Sequence, residues 1–175
     1  MFSENQKTSL QDFLQIIQSK KEIDSVNIEP SVFTDIDFSG KRFIGFKFSH
    51  SHFFNCNFTG VTLRMSFLEF CEFENCVFEN SDIQFCSFGA SCFTSTTFQH
   101  SDILHTSFNG IKSDNTSFND SDLYNSTIAQ AKMSFTFFES CNLKKLTLYQ
   151  NTHNTVSFKS SNVRDTLFLD TCKTF

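Results

Sequence analysis

Side chains able to do chemistry fall into four small groups along the 175 residues. His50-Ser51-His52 with Cys56 brings together imidazoles and a thiol, the ligand types of a zinc site. His153, two residues from Asn151, has the makings of a general base with an orienting amide. Cys92 is flanked twenty residues away by Glu72 and Lys112, and a nearby lysine would lower its thiol pKa. Asp82, Asp102 and Asp122, also twenty apart, are carboxylates that a repeating chain would stack. Which of these groups converge depends on the elements that hold them.

Those elements have a period of five. Cys71 to Phe108 cuts into fives as CEFEN CVFEN SDIQF CSFGA SCFTS TTFQH SDILH TSF, with Phe or Ile third and Cys, Ser or Thr first. From Phe33 to Phe168 there are 28 in-phase third positions, and all but Ser113 and His153 are large and apolar, so no insertion breaks the frame. Neither the helix nor the strand has this period, and a short sustained repeat indicates a solenoid. A second period of twenty lies over the first: Phe38, Phe58, Phe78, Phe98, Phe118, Phe138 and Phe158 recur at that spacing. Four fives therefore make one turn, giving a four-sided coil with third and first residues inside. Turns about 4.8 Å apart make seven of them a rod roughly 34 Å long.

This frame sorts the candidate groups. His50 and His52 face outward and Cys56 inward, so no metal site is expected there. Asn151 and His153 fall on core positions and are read as a hydrogen-bonded core pair. Cys92 is an outward thiol. The Asp column remains, with Glu69, Glu72, Glu74 and Glu79 making its surroundings acidic and no Lys or Arg between Phe67 and Lys112. Stacked carboxylates repel unless something offsets them, and a short polar side chain at the second position also bonds nearby backbone. Met65, Phe67, Phe70 and Phe85 should face water on neighbouring turns around one corner, with Phe135 and Phe137 a second outward pair. A contiguous apolar patch marks a partner surface.

The regular frame has irregular ends. Thr8 to Lys21 is read as a helix, with Leu10, Phe13, Leu14 and Ile17 on one stripe. Ser9 with Asp12 resembles a capping pair, and Lys20-Lys21 suits the C-terminal dipole. Its role is to cap the solenoid. Ile36, Lys41 and Phe46 occupy first positions where small residues belong, and Gly40 and Gly45 could relax the neighbouring corners. Ser113 is offset by the large Ile111. Residues 1–22 are taken as an N-terminal segment with the capping helix and residues 23–175 as the coil. Five of the seven cysteines, Cys56, Cys71, Cys76, Cys86 and Cys141, are small inward residues, which suits a cytoplasmic protein with free thiols. A net charge of −5 argues against direct nucleic-acid binding. The polar Met1 to Gln6 lacks a signal-peptide layout, and no run is long enough to span a membrane.

Ser81-Asp82-Ile83-Gln84-Phe85 and Ser121-Asp122-Leu123-Tyr124-Asn125 match the motif of the pentapeptide-repeat proteins, a small residue, Asp or Asn, Leu or Phe, then two variable positions. The chain resembles that family over about 145 residues. The resemblance implies an all-β fold, a right-handed quadrilateral β-helix of about seven coils with an N-terminal capping α-helix. It implies a non-enzymatic protein-protein interaction module without cofactor, metal or catalytic residues. Asp82, Asp102, Asp122, Glu79, Met65, Phe67, Phe70 and Phe85 are the candidate partner-binding residues. The alternative is binding and protection of a type II topoisomerase, gyrase, since quinolone-resistance members present a DNA-like acidic rod. Those members carry loops and a C-terminal dimerisation helix, whereas this frame is uninterrupted and Thr166 to Phe175 shows no helical stripe. A homodimer through the C-terminal end, at Phe168, Leu169 and Phe175, is expected by the same resemblance.

Overall fold

Every fifth residue from Ser25 to Asp165, Pro30 excepted, has a positive φ of 45° to 72° in the computed structural model, which describes residues 7–169. A left-handed residue turns the chain sharply, and one in every fifth place makes the coil four-sided. Proline is confined to negative φ, so Pro30 is tolerated only at the start of the coil. Between corners lie short strands, each paired in parallel with the residue twenty further on, as in Asp82↔Asp102 and Phe73↔Phe93. About seven turns result.

The four sides are conveniently numbered in chain order. Face 1 carries Glu22–Asp24, Arg42–Ile44, Thr62–Arg64, Asp82–Gln84 and Asp102–Leu104, and continues through bridges at Asp122, Asn142 and Asn162. Face 2 runs through Lys47, Phe67, Ser87 and Ser107 to the strands Thr127–Ala129, Thr147–Tyr149 and Leu167–Leu169. Face 3 is a seven-stranded sheet from Val32–Thr34 to Thr152–Ser157. Face 4 is bridged through Asp37, Asn57, Val77, Thr97 and Ser117.

Third positions fill the interior. The rings of Phe38, Phe58, Phe78, Phe98, Phe118, Phe138 and Phe158 form one continuous stack with centroids 4.3 to 5.3 Å apart, which is the strand spacing itself. First positions do more than save space. Ser101 accepts the Ser81 N–H at 3.0 Å and donates to the Phe78 carbonyl at 2.8 Å. The same clasp recurs at Ser91, Ser121 and Ser126. Each satisfies backbone groups that the corners leave outside the strand ladder. Cysteines there are donors too: Cys71 and Cys141 reach carbonyls at 3.2 and 3.0 Å. Burial pushes the Cys71 and Cys86 thiols up to about 12 and Cys141 to about 11, so these thiols stay protonated.

Helix α1 spans Leu10–Ser19, two residues shorter at each end than the sequence pattern suggests. Ser9 caps it, accepting the Asp12 N–H at 3.2 Å and donating to the Asp12 carboxylate at 2.7 Å. Phe13 is fully buried among Phe33, Phe38, Phe43, Phe46 and Phe48. The oversized first residues have their explanation here, because they meet the helix rather than another coil. Phe46 packs on Phe13, and Ile36 shares a groove with Leu14 and Ile17. Lys41 Nζ donates to the Ile17 carbonyl and, at 2.9 Å, to that of Lys20. The cation at the helix C-terminus thus comes from the coil and not from Lys20-Lys21.

Two core expectations need different outcomes. Ser113 is buried and bonds Thr136 Oγ1 at 2.8 Å, beside a buried Ile111. Asn151 is buried and satisfied, accepting the Ala131 N–H and donating to the Ile128 carbonyl, both at 2.9 Å. His153, read as its core partner, is exposed instead. It stacks in register on Met133 in the last strand of face 3, with no further strand of that sheet beyond it among the described residues.

Stability should follow this division of labour in urea unfolding. Phe98→Ala should cost about 3–5 kcal/mol. Ser101→Ala, which strands the Ser81 N–H and the Phe78 carbonyl, should cost about 1–3 kcal/mol. Gln99→Ala, on the outer surface between them, should stay within about 0.5 kcal/mol of the parent.

Candidate partner-binding surface

The Asp column is in register on face 1, Asp82 beside Asp102 and Asp102 beside Asp122. Its two ends are tied down. Asp82 pairs with the Arg64 guanidinium and accepts the Gln84 amide at 3.0 Å. Asp122 accepts the Tyr124 N–H at 2.8 Å and the Asn142 amide at 3.0 Å. Asn142 and Asn162 repeat the local bond, accepting the N–H of Lys144 and Arg164. At Asp122, Asn142 and Asn162 the second-position side chain therefore clips backbone two residues on, as a short polar group at a strand end does. Asp102 sits between the ties. Its partial burial, then the charges of Asp122 and Asp82, hold its carboxyl above the ordinary range, against the pull of Arg64.

Apolar candidates lie on the next side round. Met65 and Phe85 share the corner between faces 1 and 2, Phe67 is on face 2, and Phe70 holds the corner between faces 2 and 3. They therefore occupy two corners and the side between them, not one corner. Met65, Phe70 and Phe85 are 55%, 56% and 57% exposed. Phe70 stacks on His50 and Phe85 on His105, each at 4.8 Å. Lys47 Nζ lies 5.8 Å from the Phe67 ring centre. Phe135 stands exposed on the corner between faces 3 and 4, while Phe137 is half-buried. Glu79 is on face 4, within 3.5 Å of the Thr97 hydroxyl. The candidate residues thus wrap more than half the circumference. They divide into an acidic side and an aromatic side that meet at the Met65–Phe85 corner.

The remaining groups do not converge. His50 is stacked on Phe70, His52 lies 3.0 Å from Glu72, and Cys56 is buried with its thiol on the Phe33 carbonyl. Among the described residues no group of three His, Cys, Asp or Glu is placed to hold a metal. Cys92 is half-buried between Glu72 and Lys112 in the face 3 register. The left-handed corner was the feature missed in the sequence, and its signal is there: Asn, Asp or Gly recurs at fifth positions, as at Asp35, Gly40, Asn55, Gly60, Asn75 and Asn80.

Asp102→Asn should stabilise the fold at neutral pH by about 0.2–1 kcal/mol, the worth of relieving a cross-strand like-charge contact. A raised folded-state pKa means that the native protein holds the proton longer than the unfolded chain. Stability from this group is then present in acid and lost as pH rises through the carboxylate range. The gap between variant and parent in urea midpoint should open from about pH 3 to pH 6.

Residues 56–94 match the pentapeptide repeats family model, in eight copies. No curated protein sequence gives a significant match. Among solved structures the chain is similar to full-length QnrB1, a plasmid-mediated fluoroquinolone resistance protein, at 18% identity over 84% of this chain and 81% of that one, TM-score 0.38. It is similar to HetL, a pentapeptide repeat protein involved in heterocyst differentiation regulation in the cyanobacterium Nostoc sp. strain PCC 7120, at 10% identity over 91% and 94%, TM-score 0.36. Rfr23 from the cyanobacterium Cyanothece 51142 matches at 10% identity over 85% and 99%, TM-score 0.37. The family match falls on central coils whose five-residue frame, register and corners continue on both sides of it, so residues 56–94 are pentapeptide repeats within a longer coil of the same build.

Proposed function

We propose that this protein is a non-enzymatic, cytoplasmic interaction module, a stiff rod that presents ladders of side chains to a protein partner and uses no cofactor. The observation that supports it is the set of large apolar side chains left exposed at left-handed corners, Met65, Phe70 and Phe85. A non-glycine residue in that conformation costs about 1–3 kcal/mol, and exposing a large apolar side chain there gains the fold nothing comparable. A photo-reactive phenylalanine analogue placed at position 70 or 85 should cross-link one and the same partner in extract, and at position 132 should not.

A second reading, topoisomerase protection by DNA mimicry, is favoured by charge. Residues 65–111 hold Glu69, Glu72, Glu74, Glu79, Asp82 and Asp102 and neither Lys nor Arg. Over the roughly 11 Å that these coils occupy this is about one charge per 2 Å, close to the ~1.7 Å of duplex DNA. The likeness is local, however, and the carboxylates are spread over all four faces. A supercoiling assay with purified gyrase and a fluoroquinolone separates the readings: the first expects neither protection nor inhibition. The second expects protection that Asp82→Asn, Asp102→Asn and Asp122→Asn together abolish.

A homodimer through the C-terminal coils completes the proposal. Leu167 and Leu169 are exposed there beside the half-buried Phe168; Phe175 lies outside the described residues. Light scattering should give twice the 20.1 kDa chain mass, and Leu169→Glu should return it to the monomer value.

A further inference from the structure

Face 4 begins with an open edge. Further along it, each second residue is bonded twice to the preceding coil, as the Asn57 N–H is to the Ile36 carbonyl at 3.0 Å and the Asn57 carbonyl to the Phe38 N–H at 2.7 Å. Asp37 is the first residue of that ladder. By the same register its N–H and carbonyl point to residues 16 and 18, which lie in α1 and not in a coil. Neither group has a hydrogen-bond partner among the described residues. A groove of about 540 Å³ lies beside this edge, between α1 and the coil. Leu14, Ile17 and Ile36 line it with apolar surface, and Asp35, Asp37 and Lys41 supply its charges. The Lys41 ammonium is already engaged by the Ile17 and Lys20 carbonyls. Both carboxylates are exposed, Asp35 accepting the Asn55 amide at 3.2 Å and Asp37 the Ser39 N–H at 2.9 Å. Ser39, ahead of Asn57 and Lys41, holds the Asp37 carboxyl below the ordinary range against the cost of burial, so it stays ionised.

We infer that this groove takes an extended segment of a partner protein, an apolar–basic–apolar triplet that adds a strand to the open edge of face 4. The surface is separate from the Phe70 and Phe85 corners, and the inference rests on the interaction-module reading above. An unpaired edge accepts a strand through its backbone groups, and here both groups of Asp37 are offered to the groove. Register then sets the side chains. Ile36 and Phe38 point inward and Asp37 outward. A residue paired with Asp37 therefore also points outward, beside the two carboxylates, where Lys or Arg complements them. Its two neighbours turn inward onto Leu14, Ile17 and Ile36, where apolar side chains belong. The chain's own ends do not supply that triplet. Met1 to Gln6 holds Glu4 and no Lys or Arg, and the last strand of the coil, Leu167–Leu169, is apolar throughout.

The test is an NMR titration of the isotope-labelled full chain with a heptapeptide that has Lys at its centre, Val on either side and Ser and Thr outside them. A counterpart carries Glu in place of the Lys. The Lys peptide should shift amides of residues 14–18 and 35–39 and slow hydrogen exchange at the Asp37 N–H by about tenfold or more; the Glu peptide should not. Methylating the backbone nitrogens of the three central residues should abolish both effects on the unaltered protein, because the Asp37 carbonyl then loses its donor. Asp35→Asn with Asp37→Asn keeps the acceptor oxygens and should weaken binding about threefold. Equal effects of the Glu or the methylated peptide, shifts confined to other faces, undiminished binding by the double variant, or no shift at about 1 mM peptide would each overturn the inference. An Asp37 N–H already protected in the free chain would mean an edge covered from within, or by a second copy if protection grows with protein concentration, and either result would overturn it too. If cross-linking from positions 70 and 85 succeeds while the peptide fails, the interaction-module reading stands and the groove inference falls. The reverse result leaves the groove standing and removes the Phe70 and Phe85 surface.

Discussion

One backbone constraint governs this molecule: from Ser25 to Asp165 every fifth residue except Pro30 sits at positive φ. With the turns fixed there, third and first residues have only the interior to occupy and second and fourth residues only the faces. Parallel pairing at a spacing of twenty follows, because only that shift superimposes four corners on four corners. The corner N–H groups reach the strand carbonyl nineteen residues on, as Phe85 does to Leu104 at 3.1 Å. The clasps of Ser91, Ser101 and Ser121 then satisfy the groups that remain. Side-chain packing, backbone pairing and corner conformation therefore stand or fall together.

Much of this was legible because the repeat writes each position many times. The frame, the interior column of Phe38 to Phe158 and the capping helix with Ser9 and Asp12 could all be read from residue type and spacing. Three things were not. The small first residue looked like a matter of volume, and its hydrogen bonds across to the previous coil depend on backbone geometry that a pattern of sizes does not contain. Lys41 looked like an error in the repeat, because its partner carbonyls on α1 are local in space and not in sequence. His153 obeyed the frame and still ended exposed, in the last strand of face 3 among the described residues.

The candidate surface was legible only in part. Residue types named Met65, Phe67, Phe70 and Phe85, and the frame placed them outward. The division into an acidic side and an aromatic side needed the corner geometry, because corners place fifth residues on the edges between faces. Asp102 shows the difference most plainly. In sequence it is the equal of Asp82 and Asp122, but Arg64 reaches only the first and the Tyr124 and Asn142 donors only the last. One carboxylate of the three is left to bear the repulsion of both neighbours.

A strict twenty-residue register also has a consequence for how such a gene can change. Inserting or losing a single codon within the coil would move the left-handed corners onto residues chosen for strands and turn the interior rings toward water. Gain or loss of a whole turn leaves every remaining residue on its own face and corner. Length is thus free to vary in steps of one turn, and the corner rings at Phe70 and Phe85 can be carried along the axis as a block. Heredity in this architecture works on turns rather than on residues.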